Sequence, residues 1–327
     1  MSVRPEVSVI VPCRDEMTRL PAFLDELEAQ TLPPDEVVVA DGMSQDGSAQ
    51  WLREQARTRP WLKVVDNPRQ VVPCALNAAL AHASNDIVAR MDTHAYYAPD
   101  YLATLVEYLR AHPNVGAAGG AMGTAGRGAW GRAIAATLRR PFGLGGARHR
   151  IGGTPGPIAH VFSGCYRKEV LLGVGAWDVR LNANEDFEAD IRVNASGAPV
   201  HLVPAARTTW FVRESIPALA KQMWRYGYYK GLTLHLHPGS LQTRQLAPPA
   251  VVLGLLLGWN ILPRATAVGA TGYFLGTAAL GARASRADGA DPVRGALVPA
   301  VVHLCWGSGV IAGYIRFAGS GRGGAQR

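Results

Sequence analysis

The chain has 327 residues, enough for one large α/β domain with an appendage or for two ordinary domains. Hydrophobic residues make up 48% and charged residues 18%, and the formal net charge is +8 at pH 7. That balance suits an anionic membrane surface or a phosphorylated substrate. The scattered Lys and Arg form no zinc-finger, homeodomain or RNA-recognition pattern, which excludes nucleic acid as the expected partner.

The N-terminal part alternates strands and helices. Val7–Val11 is a β-branched run ended by Pro12, and it reads as a buried strand. A helix follows over Leu20–Thr31, then a strand over Glu36–Ala40 that ends at Asp41-Gly42. Ser48–Arg57 is a helix, with Asp46 and Ser48 as its caps. Leu62–Val65 is a third strand, Ala75–Ala83 a helix, Asp86–Met91 a fourth strand, Pro99–Ala111 a helix and Val115–Gly120 another strand. This alternation predicts a mostly parallel sheet flanked by helices. From Gly123 to Gly156 the chain is rich in Gly, Ala and Arg and reads as a mobile basic segment with a helical piece near Trp130–Leu138. Short helices are expected over Lys168–Gly173 and Phe187–Ala195.

The C-terminal third is hydrophobic in long blocks. Leu246–Pro263, Ala265–Ala282 and Gly295–Ile315 are each close to the roughly 20 residues that span a bilayer, so two or three membrane helices are expected. The four cysteines, Cys13, Cys74, Cys165 and Cys305, form no Cys-X-X-Cys and read as free thiols. Met1–Glu6 lacks the apolar stretch of a signal peptide, which places the N-terminal domain in the cytoplasm.

Ligands of open α/β sheets bind beyond the carboxyl ends of the strands. Three polar clusters fall there: Pro12-Cys13-Arg14-Asp15-Glu16, Asp41-Gly42, and Asp92-Thr93-His94. On an extended backbone, Asp92 and His94 project to the same side and grip one divalent cation. An imidazole beside a carboxylate suits Mn²⁺ better than Mg²⁺. The alternative for His94 is an orienting hydrogen bond. Arg90 pairs with a carboxylate or with a diphosphate.

With Asn184-Glu185-Asp186, these clusters resemble an inverting family 2 glycosyltransferase of the GT-A fold, over Val7–Pro204. The C-terminal blocks point to its ExoA-like, membrane-associated branch of bacterial polysaccharide synthesis. The resemblance implies that Pro12, Arg14, Asp15, Glu16 and Asp41 contact the nucleoside of a donor. It implies that Arg90 and Asp92 meet the donor diphosphate, and that Asp92 and His94 hold the metal. Here the sequence departs from the family's Asp-X-Asp. Asp186 is implied as the catalytic base, with Glu185 raising its pKa or binding the acceptor. The alternative is that both acids simply begin a helix. The segment His160–Arg167, with Gly164 and Arg167, is implied as the acceptor side. Gln222-Met223-Trp224-Arg225-Tyr226 resembles the family's Gln-X-X-Arg-Trp with a Tyr at the end, placing Gln222, Arg225 and Tyr226 near the acceptor diphosphate.

The implied organisation is a catalytic domain over 1–214, interfacial helices over 215–245, membrane helices over 246–317 and a basic tail over 318–327. The implied activity moves a hexose, from a UDP-hexose, to a polyprenyl-linked saccharide. The enzyme would be integral to the inner (plasma) membrane, facing the cytoplasm. Two other readings remain: a polyprenyl-phosphate sugar synthase of the same fold, and a catalytically silent membrane scaffold.

Overall fold

The computed structural model describes residues 6–144, 148–151 and 153–319. Met1–Pro5, three residues of the expected mobile segment with Gly152, and residues 320–327 of the expected basic tail lie outside the described residues.

In chain order the elements are β1 (Val7–Cys13), α1 (Leu20–Glu28), β2 (Glu36–Asp41), α2 (Ser48–Ala56), β3 (Leu62–Asp66), α3 (Val72–His82), β4 (Ile87–Arg90), β5 (Ala95–Tyr97) and α4 (Tyr101–Ala111). Then come β6 (Ala117–Ala125), α5 (Gly128–Leu138), α6 (Pro141–Leu144), α7 (Arg148–Ile151), β7 (Gly156–Pro157), β8 (Cys165–Arg167), α8 (Lys168–Gly173), α9 (Glu185–Ala195) and β9 (Val200–Phe211). The last helices are α10 (Ile216–Leu236), α11 (Ala247–Ile261), α12 (Pro263–Ala287) and α13 (Pro292–Arg316). The chain forms two compact units, Met1–Gly123 with Arg148–Trp210, and Thr124–Ala147 with Phe211–Arg327.

The first unit is built on a nine-stranded mixed sheet of order β3-β2-β1-β4-β8-β6-β9-β5, with β7 on β9. The alternating part of the sequence supplies its parallel half: β1 runs parallel to β2 and β4, and β2 to β3. β8 joins β4 and β6 antiparallel, and β5 and β7 join β9 antiparallel. The parallel strands are covered on both faces, which is why their sequences are apolar throughout rather than alternating. Val7, Val9 and Val11 of β1 pack with α1, α2 and α4 on one face, while Ile10 packs with α3, α8 and α9 on the other.

The far edge of this sheet is fastened by a buried acid. Glu36, at the start of β2, accepts from Ser8, Lys63 and the Ser84 backbone N–H. These groups tie the amino ends of β1, β2 and β3 together and leave the carboxyl ends open for a site.

The second unit is helical. The stretch expected to be a mobile basic segment contributes α5 and α6 here, and two of its arginines are engaged: Arg139 and Arg140 each pair with Asp288 at 2.8 Å. Arg294 lies over the Trp130 ring, and His303 bonds the Phe142 carbonyl. α10 and α13 run side by side at backbone contact. A Cβ at Gly227 would overlap the Trp306 carbonyl, and one at Gly313 the Tyr228 carbonyl. Only glycine permits that approach. α13, with 25 residues and an 18-residue stretch of mean hydropathy 1.6, is the helix among the described residues long and apolar enough to cross a membrane. α11 has 15 residues, a rise of about 22 Å against the roughly 30 Å of a bilayer core. It folds back into α12 through an elbow where Gly258 lies against Thr266.

Candidate active site

Two loops form the first wall of the cleft. β1 and β2 end level, Cys13 opposite Asp41, and Gly42 donates to the Cys13 carbonyl at 2.7 Å. The loops beyond are stitched together residue by residue. Asp15 N–H donates to Ser44 Oγ, Glu16 N–H to Ser48 Oγ, Met17 N–H to Asp46 and Gln45 N–H to Asp15. Asp46 also accepts from Ser48 N–H, the first residue of α2, while the N-cap position itself is Gly47. Asp15 and Met43 sit in the left-handed region (φ 55° and 61°), strain of the kind held at sites by over-determined surroundings.

These bonds sort the nucleoside candidates. Asp15 is spent on Gln45, and Arg14 is an exposed partner of Asp15 at 3.7 Å. Pro12 is a strand residue opposite Ala40. Asp41 is different. It is buried, one carboxylate oxygen accepts from Ser44 N–H, and the other, Oδ1, has no partner. A buried acceptor left open is a place for a ligand N–H or hydroxyl.

The second wall corrects an expectation about Asp92-Thr93-His94. The backbone there is not extended. It is a tight turn between β4 and β5, closed by Ala95 N–H to the Asp92 carbonyl at 3.1 Å. β5 has to reverse to pair with β9, so the chain turns as soon as β4 ends. Asp92 is buried while His94 is exposed. The turn is pinned from below by Tyr97, whose hydroxyl receives Asp92 N–H at 2.7 Å and meets Ser163 Oγ at 3.0 Å.

His94 nonetheless acts on the carboxylates around it. Burial alone would push Asp92 up, but Arg90 and then His94 hold it below the usual range. Burial raises Glu16, opposed by His94 and by a hydrogen bond from Thr93. Glu16, Asp92, Thr93 and His94 therefore form one neighbourhood.

The third wall is the start of α9. Arg90, almost wholly buried, links it to the turn. Its Nε and Nη2 donate to the two oxygens of Asp92 at 3.2 and 3.3 Å, and its Nη1 donates to Glu185 at 3.0 Å. Asp186 Oδ2 lies 3.9 Å from the same Nη1. Burial lowers Arg90, but the surrounding carboxylates more than reverse it. Glu185 and Asp186 do begin a helix, as the structural alternative held, and they are also held in a specific cluster. Gly164 contributes its carbonyl to Arg90 N–H at 3.0 Å.

Arg167 does not come here. Arg167 lies toward the opposite end of β8, opposite Ile87 rather than Arg90, and its guanidinium bonds the carbonyls of Leu109, His112 and Val115. Those bonds hold the carbonyls at the end of α4. Gln222, Arg225 and Tyr226 lie on α10 of the second unit, where Gln222 Nε2 donates to the Tyr226 hydroxyl at 3.2 Å and Gln222 Oε1 is buried without a partner. Two residues unsingled by sequence join the acid cluster, His160 and Asp190. The signal available was the spacing of Asp186 and Asp190, four apart on one helical face.

The residues fit a divalent cation in charge and kind. Asp92, Glu185 and Asp186 against Arg90 leave a local charge of −2. On the first wall, Cys13 is raised by burial and then by Asp41, Glu16, Asp46 and Asp15, a second group of carboxylates. Among the described residues no group of three or more His, Cys, Asp or Glu is arranged as a closed metal site. Asp92 and His94 would thus supply two ligands, leaving the remainder to a phosphorylated ligand and water.

An open sheet carrying carboxylates at three consecutive strand ends, facing an acidic helix start, defines a glycosyltransferase of the GT-A class. Residues 8–172 match the family described as Glycosyl transferase family 2, and the chain belongs to that family. It is 29% identical, over 92% of this chain and 92% of the relative, to the succinoglycan biosynthesis protein ExoA of Rhizobium meliloti (strain 1021). It is 26% identical, over 58% of this chain and 70% of the relative, to the amylovoran biosynthesis glycosyltransferase AmsE of Erwinia amylovora. Among solved structures it is similar in fold to the mannosyltransferase PcManGT from Pyrobaculum calidifontis in complex with GDP-Man and Mn²⁺. That likeness has a TM-score of 0.62 at 23% identity, over 93% of this chain and 88% of the other.

Proposed function

We propose that this glycosyltransferase moves a hexose, with inversion, from a nucleotide-sugar to a lipid-linked saccharide during polysaccharide or glycolipid synthesis, at the cytoplasmic face of the membrane. The observation that carries the reading is Arg90. It joins Asp92, on the donor side, to Glu185 and Asp186, on the acceptor side, so both sets of carboxylates border one space.

Asp41 Oδ1 and Glu16 receive N–H and hydroxyl groups of the nucleoside, and Asp92 with His94 holds the cation beside the diphosphate. The cation, when bound, neutralises the charge of the departing diphosphate. Asp186 takes the proton of the acceptor hydroxyl as its oxygen bonds to the anomeric carbon. The bond from that carbon to the diphosphate oxygen breaks on the opposite face, and the pair of electrons leaves with the nucleoside diphosphate. The Mn²⁺ bound by the Pyrobaculum mannosyltransferase supports a divalent cation, and the succinoglycan and amylovoran relatives support a polysaccharide product.

A UDP-hexose is the proposed donor, and a polyprenyl-linked saccharide the proposed acceptor, with Gln222, Arg225 and Tyr226 as its proposed diphosphate-binding residues. Membrane association is supported by α13 and by exposed apolar side chains on α11 and α12, among them Leu256, Ile261, Val268 and Leu275. Those surfaces support the membrane-helix region proposed for 246–317.

A panel of nucleotide-hexoses, including UDP-glucose, UDP-galactose and GDP-mannose, offered to membrane fractions with chelator and with Mn²⁺, tests the reading. Transfer from one donor, lost to chelator and restored by Mn²⁺, is expected. Consumption of none of them, with any cation, would overturn it.

A further inference from the structure

His160 lies between two carboxylates of α9. Its Nδ1 is 2.8 Å from Asp190 Oδ2, and its Nε2 is 3.8 Å from Asp186 Oδ2. Asp190 is fully buried and cannot swing, because it also receives Val161 N–H at 3.0 Å and the Tyr166 hydroxyl at 2.9 Å. The ring it holds is fixed in turn. Asp186 Oδ1 accepts from Phe187 N–H at 2.7 Å, which leaves Oδ2 facing Arg90 Nη1 at 3.9 Å on one side and His160 on the other.

We propose that His160, anchored by Asp190, is the positioning residue for Asp186. Nδ1–H donates to Asp190, Nε2–H faces Asp186, and with Arg90 the ring aims the carboxylate at the acceptor hydroxyl. The inference rests on the transfer reading above. In the step itself the hydroxyl proton passes to Asp186, and His160 neither gains nor loses one.

The role needs the charged ring. Burial would lower His160, but Asp186 and then Asp190 outweigh it and raise it above the ordinary imidazole value. Arg150, from α7, opposes them, and His149 of the same helix meets the ring edge-on with centroids 5.3 Å apart. Arg90, Glu185 and Tyr166 stand behind the two carboxylates.

The test is the pH profile of kcat in the full-length protein. Wild type should decline on the alkaline side as the ring loses its charge. Asp190→Asn keeps oxygen for Val161 and Tyr166 but removes a charge that raises His160, so the alkaline limb should move to lower pH. His160→Gln should lower kcat about 10²-fold, the scale of a misaimed catalytic group. It should also abolish that limb, with the donor KM little changed. An unmoved limb in Asp190→Asn, or a His160→Gln enzyme with the wild-type limb, would overturn the role. Asp190→Asn carries the test by itself should His160→Gln not fold. Absence of transfer by wild type would instead overturn the functional reading.

Discussion

Replacing Arg90 by Met isolates the cation on which the cluster depends. The side chain lies within 3.3 Å of both Asp92 oxygens and 3.0 Å of Glu185, and all three residues are buried. At an effective dielectric constant of about 20, each such contact contributes on the order of 5 kcal/mol of gross attraction. Desolvation of the three charges offsets most of that. What remains when one partner is removed is about 3–5 kcal/mol, because the other charges are left buried without compensation. For a unit of this size the loss corresponds to a fall in Tm of roughly 10 °C. The local charge also moves from −2 to −3, so Mn²⁺ should stabilise the variant more than wild type. Arg90→Lys should recover only part, since one ammonium cannot span Asp92 and Glu185 as a guanidinium fork does. Thermal unfolding of the three proteins with and without Mn²⁺ measures this. An Arg90→Met protein melting within about 2 °C of wild type would refute the reasoning, as so small a shift is under 1 kcal/mol.

Two further outcomes follow from the same structure. Burial would raise Glu36, but Lys63, Ser8 and Ser84 together bring it down from 4.5 to about 2. A depressed carboxylate contributes stability above its unfolded value and loses it as the pH falls through its folded value. Wild type should therefore exceed Glu36→Gln in stability by about 2 kcal/mol at neutral pH, after allowance for the exposed Lys63 end. The gap should close between pH 4.5 and about 2, and a gap constant across that range in pH-dependent melting would contradict the assignment. At the site, His94→Ala should lose Mn²⁺-dependent transfer while His94→Asp retains part of it. Full activity in His94→Ala, measured over a Mn²⁺ titration, would show that Asp92 holds the cation without it.

The parallel half of the sheet was legible because β-branched runs, prolines and helical spacing repeat through Val7–Ala111 and each local signal agrees with its neighbours. The strand-end carboxylates followed from that topology. The Asp92–His94 turn was not legible, because its shape is set by the pairing of β5 with β9, more than a hundred residues away, and not by local propensity. For the same reason Arg90 was left between two readings. Its partner Glu185 is 95 residues distant. Arg167 looked like a site residue by position in a motif, but strand register turned it toward α4. His160 opens the segment implied as the acceptor side, but nothing local gives it a role, and only the fold brings it to Asp186.

The central claim is that Asp186 is the base for a hydroxyl acceptor in the cluster organised by Arg90. Single-turnover sugar transfer by Asp186→Asn, beside nucleotide-sugar binding by the same protein, tests it most directly. Binding close to wild type is expected, with transfer reduced by about 10²–10⁴-fold, the range of a lost general base. Substantial transfer by Asp186→Asn would contradict it and would point to an acceptor already ionised, such as a lipid phosphate.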